Sequence, residues 1–145
     1  GFVPPHTPLQ CPVEDLHRCF PPSYFDIVHI RNALDHVFDP LLGLERMLRV
    51  VRPGGWVLLR HARNEGVPGK FRNGLHQWSF DTEGEQPASF LIWNPEIRVD
   101  VSQYLLRSGL AAEVHADLRD HPSADAPPDE KYVWVDIRRP TVEEA

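Results

Sequence analysis

Two of the eight histidines in this 145-residue chain, His36 and His61, stand close behind short runs of branched and aromatic residues. Around His36 lie Arg31, Asn32 and Asp35; around His61 lie Arg63, Asn64 and Glu65. An imidazole with its ordinary pKa of about 6.5 suits proton transfer or substrate hydrogen bonding near neutral pH. Each cluster mixes bases, acids and amides. As metal ligands, His36 and His61 need a third donor, which Asp35 or Glu65 could supply. No recognisable ligand spacing accompanies them, so no metal is expected. His6, His17, His115 and His121 carry no comparable neighbourhood and are read as structural.

These residues need elements to hold them. Phe25-Asp26-Ile27-Val28-His29-Ile30 reads as a buried strand. Asp39-Pro40 offers an N-cap oxygen and a first-turn proline, and Leu41, Leu44, Leu48 and Val51 form one apolar stripe, so a helix is predicted over 40–51. Pro53-Gly54-Gly55 stops it, and 56–60 is a second strand. Together they make a βαβ unit with parallel strands. In such a sheet ligands bind beyond the carboxyl ends of the strands, where both polar clusters fall.

Further on, Gln77–Phe80 and Phe90–Trp93 flank a turn-rich stretch and predict a hairpin. Asp100 caps a short helix carrying Val101, Tyr104 and Leu105, which ends at Gly109. Segments 112–118 and 131–138 alternate as an antiparallel strand pair, joined by the loop 119–130. Six of the 15 prolines lie in the first 22 residues, which are read as loop or extended chain, and the tail 139–145 is read as charged and frayed.

Composition narrows the function classes. With 41% hydrophobic and 25% charged residues the chain has a globular mix and the length of one domain. A net charge of −6 argues against nucleic-acid partners, which require gathered cations. Cys11 and Cys19, with seven residues between them, make neither a disulfide framework nor a C-x2-C metal pair, and are read as small buried thiols. No apolar run approaches eighteen residues and no signal segment opens the chain, so a soluble, cytoplasmic protein with no membrane partner is expected. Position 1 is Gly, not Met, and the chain is expected to begin inside a longer product, or after processing or a tag.

The stretch from Tyr24 to His36, then Asp39-Pro40, then Leu48-Arg49-Val50-Val51-Arg52-Pro53-Gly54-Gly55, resembles the later half of class I S-adenosylmethionine-dependent methyltransferases. In that family "FD-V" opens the fourth strand, "DP" starts the next helix and "R-L-PGG" leads into the fifth strand. Val13-Glu14-Asp15-Leu16 is similar to the "E-D-L" after the third strand, and residues 12–61 carry the likeness best. Asn64-Glu65-Gly66 and Gly74–Trp78 resemble a subgroup with a hairpin inserted after the fifth strand. No counterpart exists here of the family's glycine-rich loop or of the acidic residue that holds the ribose; the glycines present sit in turns. No G-x-S-x-G elbow suggests a hydrolase instead.

The resemblance implies an α/β fold: an incomplete Rossmann-like methyltransferase sheet with a parallel βαβ unit, an inserted hairpin and a C-terminal antiparallel strand pair. It forms one domain, 1–145, with its N-terminal part missing: an extended opening segment 1–23, the βαβ unit 24–61, a loop and hairpin insertion 62–97, helix and terminal strands 98–138, and a tail 139–145. It implies S-adenosylmethionine as cofactor, with Val13 and Glu14 near adenine, where Pro12 replaces the family's usual Asp. Ile30, Arg31 and Asn32 would lie by the methionine part. Asp35 and His36 would border the acceptor, with His36 as first candidate base and His61 as second. Arg63, Asn64, His76 and Trp78 would face a small-molecule or sugar-containing acceptor. Methyl transfer is an in-line displacement, so positioning and removal of one proton are the protein's tasks. A bare edge on strand 25–30 would invite a partner chain or a second copy. The alternative is a non-catalytic methyltransferase-like module that uses this edge for binding or assembly.

Overall fold

A computed structural model describes residues 1, 3–72 and 74–145. Strand β1 (Phe25–Arg31) leads through a 3-10 turn at Leu34–His36 into helix α2 (Pro40–Val50), which follows a short first helix α1 (Leu16–Cys19). The Asp39 carboxylate accepts the Leu42 N–H at 3.0 Å, so the cap read from the sequence closes the first turn. Leu44, Met47 and Leu48 bury the inner face of α2. The helix ends at Val50, and β2 (Val51–Ala62) starts at once rather than at residue 56. Pro53-Gly54-Gly55 therefore bends a strand rather than separating a helix from one: the β1–β2 pairing is parallel, and its register slips between Phe25 opposite Val51 and Ile27 opposite Trp56. Gly54 takes the left-handed φ of +75° that this bend requires.

The main sheet runs β1-β2-β7-β6, with β6 (Glu113–Asp120) and β7 (Lys131–Arg138) antiparallel to each other and β7 antiparallel to β2. A second sheet comprises the expected hairpin, β3 (Ser79–Glu83) and β4 (Ser89–Trp93), plus β5 (Arg98–Asp100), a three-residue strand too short to read from pattern. Asp100 ends β5 and also caps α3 (Val101–Arg107) by accepting the Gln103 N–H at 2.9 Å. Leu44 and Met47 of α2, Leu59 of β2, Phe80 and Phe90 of the hairpin, Leu105 of α3 and Ile137 of β7 share one core. Strand β1 is an edge, and Ile27 on it is 57% exposed.

Three expectations change. Cys11 and Cys19 form a disulfide, because the chain between them folds back through a 3-10 turn (Val13–Asp15) and α1 instead of running extended. The opening segment is thus partly helical. The tail is tied down: Arg138 donates two hydrogen bonds of 2.9 Å to Glu144, and Arg139 donates to Val51 O at 2.6 Å. Among the described residues no helix is long and apolar enough to cross a membrane.

Candidate active-site cleft

The parallel pairing brings the carboxyl ends of β1 and β2 side by side, with Arg31 opposite Arg60. Asn32, with a φ of +46°, turns the chain out of β1; its N–H donates to Arg60 O, and its side chain braces the strand ends. Its Nδ2 donates to the Tyr132 hydroxyl at 2.7 Å and its Oδ1 accepts from Ala62 N at 3.0 Å. The next residues form the 3-10 turn at Leu34–His36, which buries Asp35 and leaves the His36 side chain about a third exposed (35%).

His61 does not face this cleft as a base. It is 1% exposed, and its Nε2 accepts the N–H groups of Ala33 at 3.3 Å and Leu34 at 3.1 Å. Burial, aided by the neighbouring His36 and His29, pushes its pKa down to about 3. A proton on Nε2 would point at two N–H donors, so the ring stays neutral and pins the turn after β1. The second base candidate is a loop anchor.

His76 joins Asp35 and His36 from forty residues away. Its Nδ1 lies 2.7 Å from Asp35 Oδ2 and 3.2 Å from His36 Nε2, and the two imidazoles meet edge to face with centroids 4.6 Å apart. The Nε2 of His76 is 3.8 Å from Glu65 Oε2. The group opens on a cleft of about 260 Å³ that Asn32, Glu65, His121 and Tyr132 also line. A buried carboxylate that orients an imidazole is the arrangement that fixes a general base.

The other candidates lie elsewhere or are already engaged. Glu14 accepts the N–H groups of Phe38 at 3.0 Å and Asp39 at 3.2 Å, so its carboxylate serves the approach to α2. Val13 packs against α2 beside Gly43. Ile30 packs on the core, while Arg31 lies 5.6 Å from the Tyr132 ring centroid. Arg63 pairs with Asp81 at 2.7 Å, and Asn64 donates to Asp81 and accepts from the Trp93 indole, so both fasten the hairpin to the end of β2. Trp78 packs against the core, with Nε1 buried and without a hydrogen-bond partner among the described residues. His121 and Tyr132 were missed because only the order β2-β7 brings residue 132 to residue 32.

The fold is that of class I S-adenosylmethionine-dependent methyltransferases. Residues 3–59 match the family model described as a methyltransferase domain. Over 40 residues the chain is 50% identical to the methyltransferase str3 of Strobilurus tenacellus, which is 28% of this chain and 14% of that protein. An uncharacterized methyltransferase of Schizosaccharomyces pombe is 42% identical over 43 residues, 30% of this chain and 16% of that one. The matched stretches are thus under a fifth of either curated relative. In structure, a SAM-dependent methyltransferase of Thermotoga maritima superposes with a TM-score of 0.57 at 14% identity, covering 90% of this chain and 63% of the other. A phosphoethanolamine N-methyltransferase of Haemonchus contortus, solved with S-adenosylhomocysteine, gives 0.54 at 12% identity over 84% of this chain and 35% of that one.

S-adenosylmethionine is the cofactor implied by the family whose model matches residues 3–59 and by the fold. The residues of this chain alone do not fit it. Among the described residues no glycine loop follows a strand and opens a helix, and the polar ends of Glu14 and Asn32 are engaged within the protein.

Proposed function

We propose that this chain is the acceptor-side, C-terminal part of an S-adenosylmethionine-dependent methyltransferase acting on a small-molecule or sugar-containing acceptor. The observation that carries this reading is the Asp35–His36–His76 cluster beyond the carboxyl end of β1, opening on a polar cleft. Asp35 orients His76, and His36, the more exposed imidazole, takes the proton of the acceptor group. Asn32 and Tyr132 fix the cleft's shape by joining three strands. The acidic chain and the polar lining favour a neutral or cationic small acceptor over nucleic acid.

The test is methyl transfer from labelled cofactor by the longer polypeptide that carries this chain, against a panel of small hydroxyl and amine acceptors. Transfer is expected, and His36→Gln should lower kcat by about 10²-fold while leaving cofactor affinity unchanged. A longer polypeptide that neither binds the cofactor nor transfers methyl would overturn the reading. A second reading, a binding or assembly module, is favoured by the exposed edge of β1 with Ile27 outward. Under it, a partner chain or a second copy would cover that edge whether or not catalysis occurs.

A further inference from the structure

Three lone-pair donors converge where one proton is too few. Asp35 Oδ2, His36 Nε2 and His76 Nδ1 lie 2.7, 3.2 and 3.7 Å from one another, and one Nδ1 proton cannot serve both a carboxylate oxygen and a facing imidazole nitrogen well. A tetrahedral centre with bonds of roughly 2.0–2.1 Å has ligand edges of about 3.3 Å, the middle of that range. The other oxygen of the same carboxylate, Asp35 Oδ1, is buried and has no hydrogen-bond partner among the described residues. Such a group calls for an ion or water. The far nitrogen of His76 faces Glu65, the carboxylate-behind-imidazole arrangement that orients metal-bound histidines.

We infer that Asp35, His36 and His76 form a binding site for a borderline first-row dication such as Zn²⁺, with an open position toward the cleft. Two imidazoles and one carboxylate suit this class of metal better than Mg²⁺ or Ca²⁺, which prefer all-oxygen shells. Three protein ligands leave the fourth position to water or to an oxygen of a bound small molecule. Asn32 and Tyr132 line the same cleft. Metal binding and proton acceptance by the same nitrogens exclude each other, because a lone pair held by a cation is closed to a proton. Occupancy would therefore move proton removal from His36 to a metal-bound oxygen, whose acidity the cation raises. The inference stands whether or not the protein transfers methyl groups, since its test reads metal binding alone.

The experiment is a titration of the chelator-treated chain with Zn²⁺ by calorimetry and with Co²⁺ by visible absorption. One metal per chain is expected, with the intense absorption of a low-coordinate Co²⁺ centre. His36→Gln and His76→Gln should each weaken binding at least about tenfold, Glu65→Gln about tenfold, and His115→Gln, on an exposed strand, not at all. His36 is partly exposed, so its variant keeps the test valid if a change at buried Asp35 unfolds the chain. Absence of stoichiometric binding, or binding that survives His36→Gln and His76→Gln together, overturns the site.

Discussion

The imidazole of His61, buried on β2, accepts the backbone N–H of Leu34 at 3.1 Å and thereby holds the turn that carries Asp35 and His36. Its pKa, lowered from 6.5 to about 3, makes this contact pH-dependent. In the unfolded chain the ring takes up a proton near pH 6.5; in the folded chain it does not until about pH 3. Between those values the unfolded state binds more protons, so stability falls as pH falls. The contribution is complete above about pH 6.5 and declines by up to about 1.4 kcal/mol per pH unit below it. Urea midpoints at pH 7 and pH 5 should differ more for the parent chain than for His61→Gln. Equal differences would show that His61 does not couple to folding.

At Gly55 the backbone of β2 lies against that of β1. A Cβ there would lie 2.7 Å from Asp26 O, 2.8 Å from a Val51 methyl and 2.9 Å from Arg52 O. Two of these contacts are backbone, one on β1 and one on β2 itself, so relief requires both a shift of β1 and a change in the bend of β2. Gly55→Ala should cost about 1–3 kcal/mol, read as a lower urea midpoint with an unchanged slope. Gly74→Ala, where no atom lies within 4 Å but φ is +75°, should cost less, about 1 kcal/mol.

Much of this fold was legible because the signals are local. Asp39-Pro40 names the start of α2, and the Leu44 and Leu48 spacing names its buried face. The branched runs at 25–30 and 56–60 name two strands that pair in parallel. Pro53-Gly54-Gly55 was harder, because a helix stop and a strand bend use the same residues, and only the register slip against β1 separates them. The site was less legible. Asp35 and His36 stand out by position, but His76 reaches them across a turn-rich stretch with no spacing rule, and Tyr132 across two strand pairings. The role of His61 is not legible for a physical reason: a histidine at a strand end looks the same in sequence whether it faces solvent or two inward N–H groups.

The Cys11–Cys19 bridge closes a short loop around α1 and the turn at Val13–Asp15. Constraining such a loop in the unfolded state is worth roughly 2–3 kcal/mol. A thiol titration of the unreduced protein should find no free cysteine, and reduction should release two and lower the urea midpoint accordingly. Because Glu14 lies inside the loop and holds the approach to α2, amide exchange at Phe38 and Asp39 should quicken on reduction. Two reactive thiols before reduction would exclude the bridge.

Isolated from any longer polypeptide, these 145 residues should bind S-adenosylmethionine weakly. The reason lies in what each polar group near the expected cradle already does. Glu14 accepts two N–H groups ahead of α2, Asn32 bridges Ala62 and Tyr132, and His61 is closed by Ala33 and Leu34. A cofactor bearing a ribose and a sulfonium needs partners that are pre-formed and open, since each imperfectly paired polar group costs binding energy. Among the described residues no strand is followed by the glycine turn or by a ribose-holding acid. Calorimetry should therefore give no micromolar binding by this chain, and micromolar binding by a longer polypeptide that supplies those elements. Micromolar binding by the chain alone would mean that the cleft around Asp35, His36 and His76 grips the cofactor itself, and the acceptor would then have to enter from the exposed side of β1.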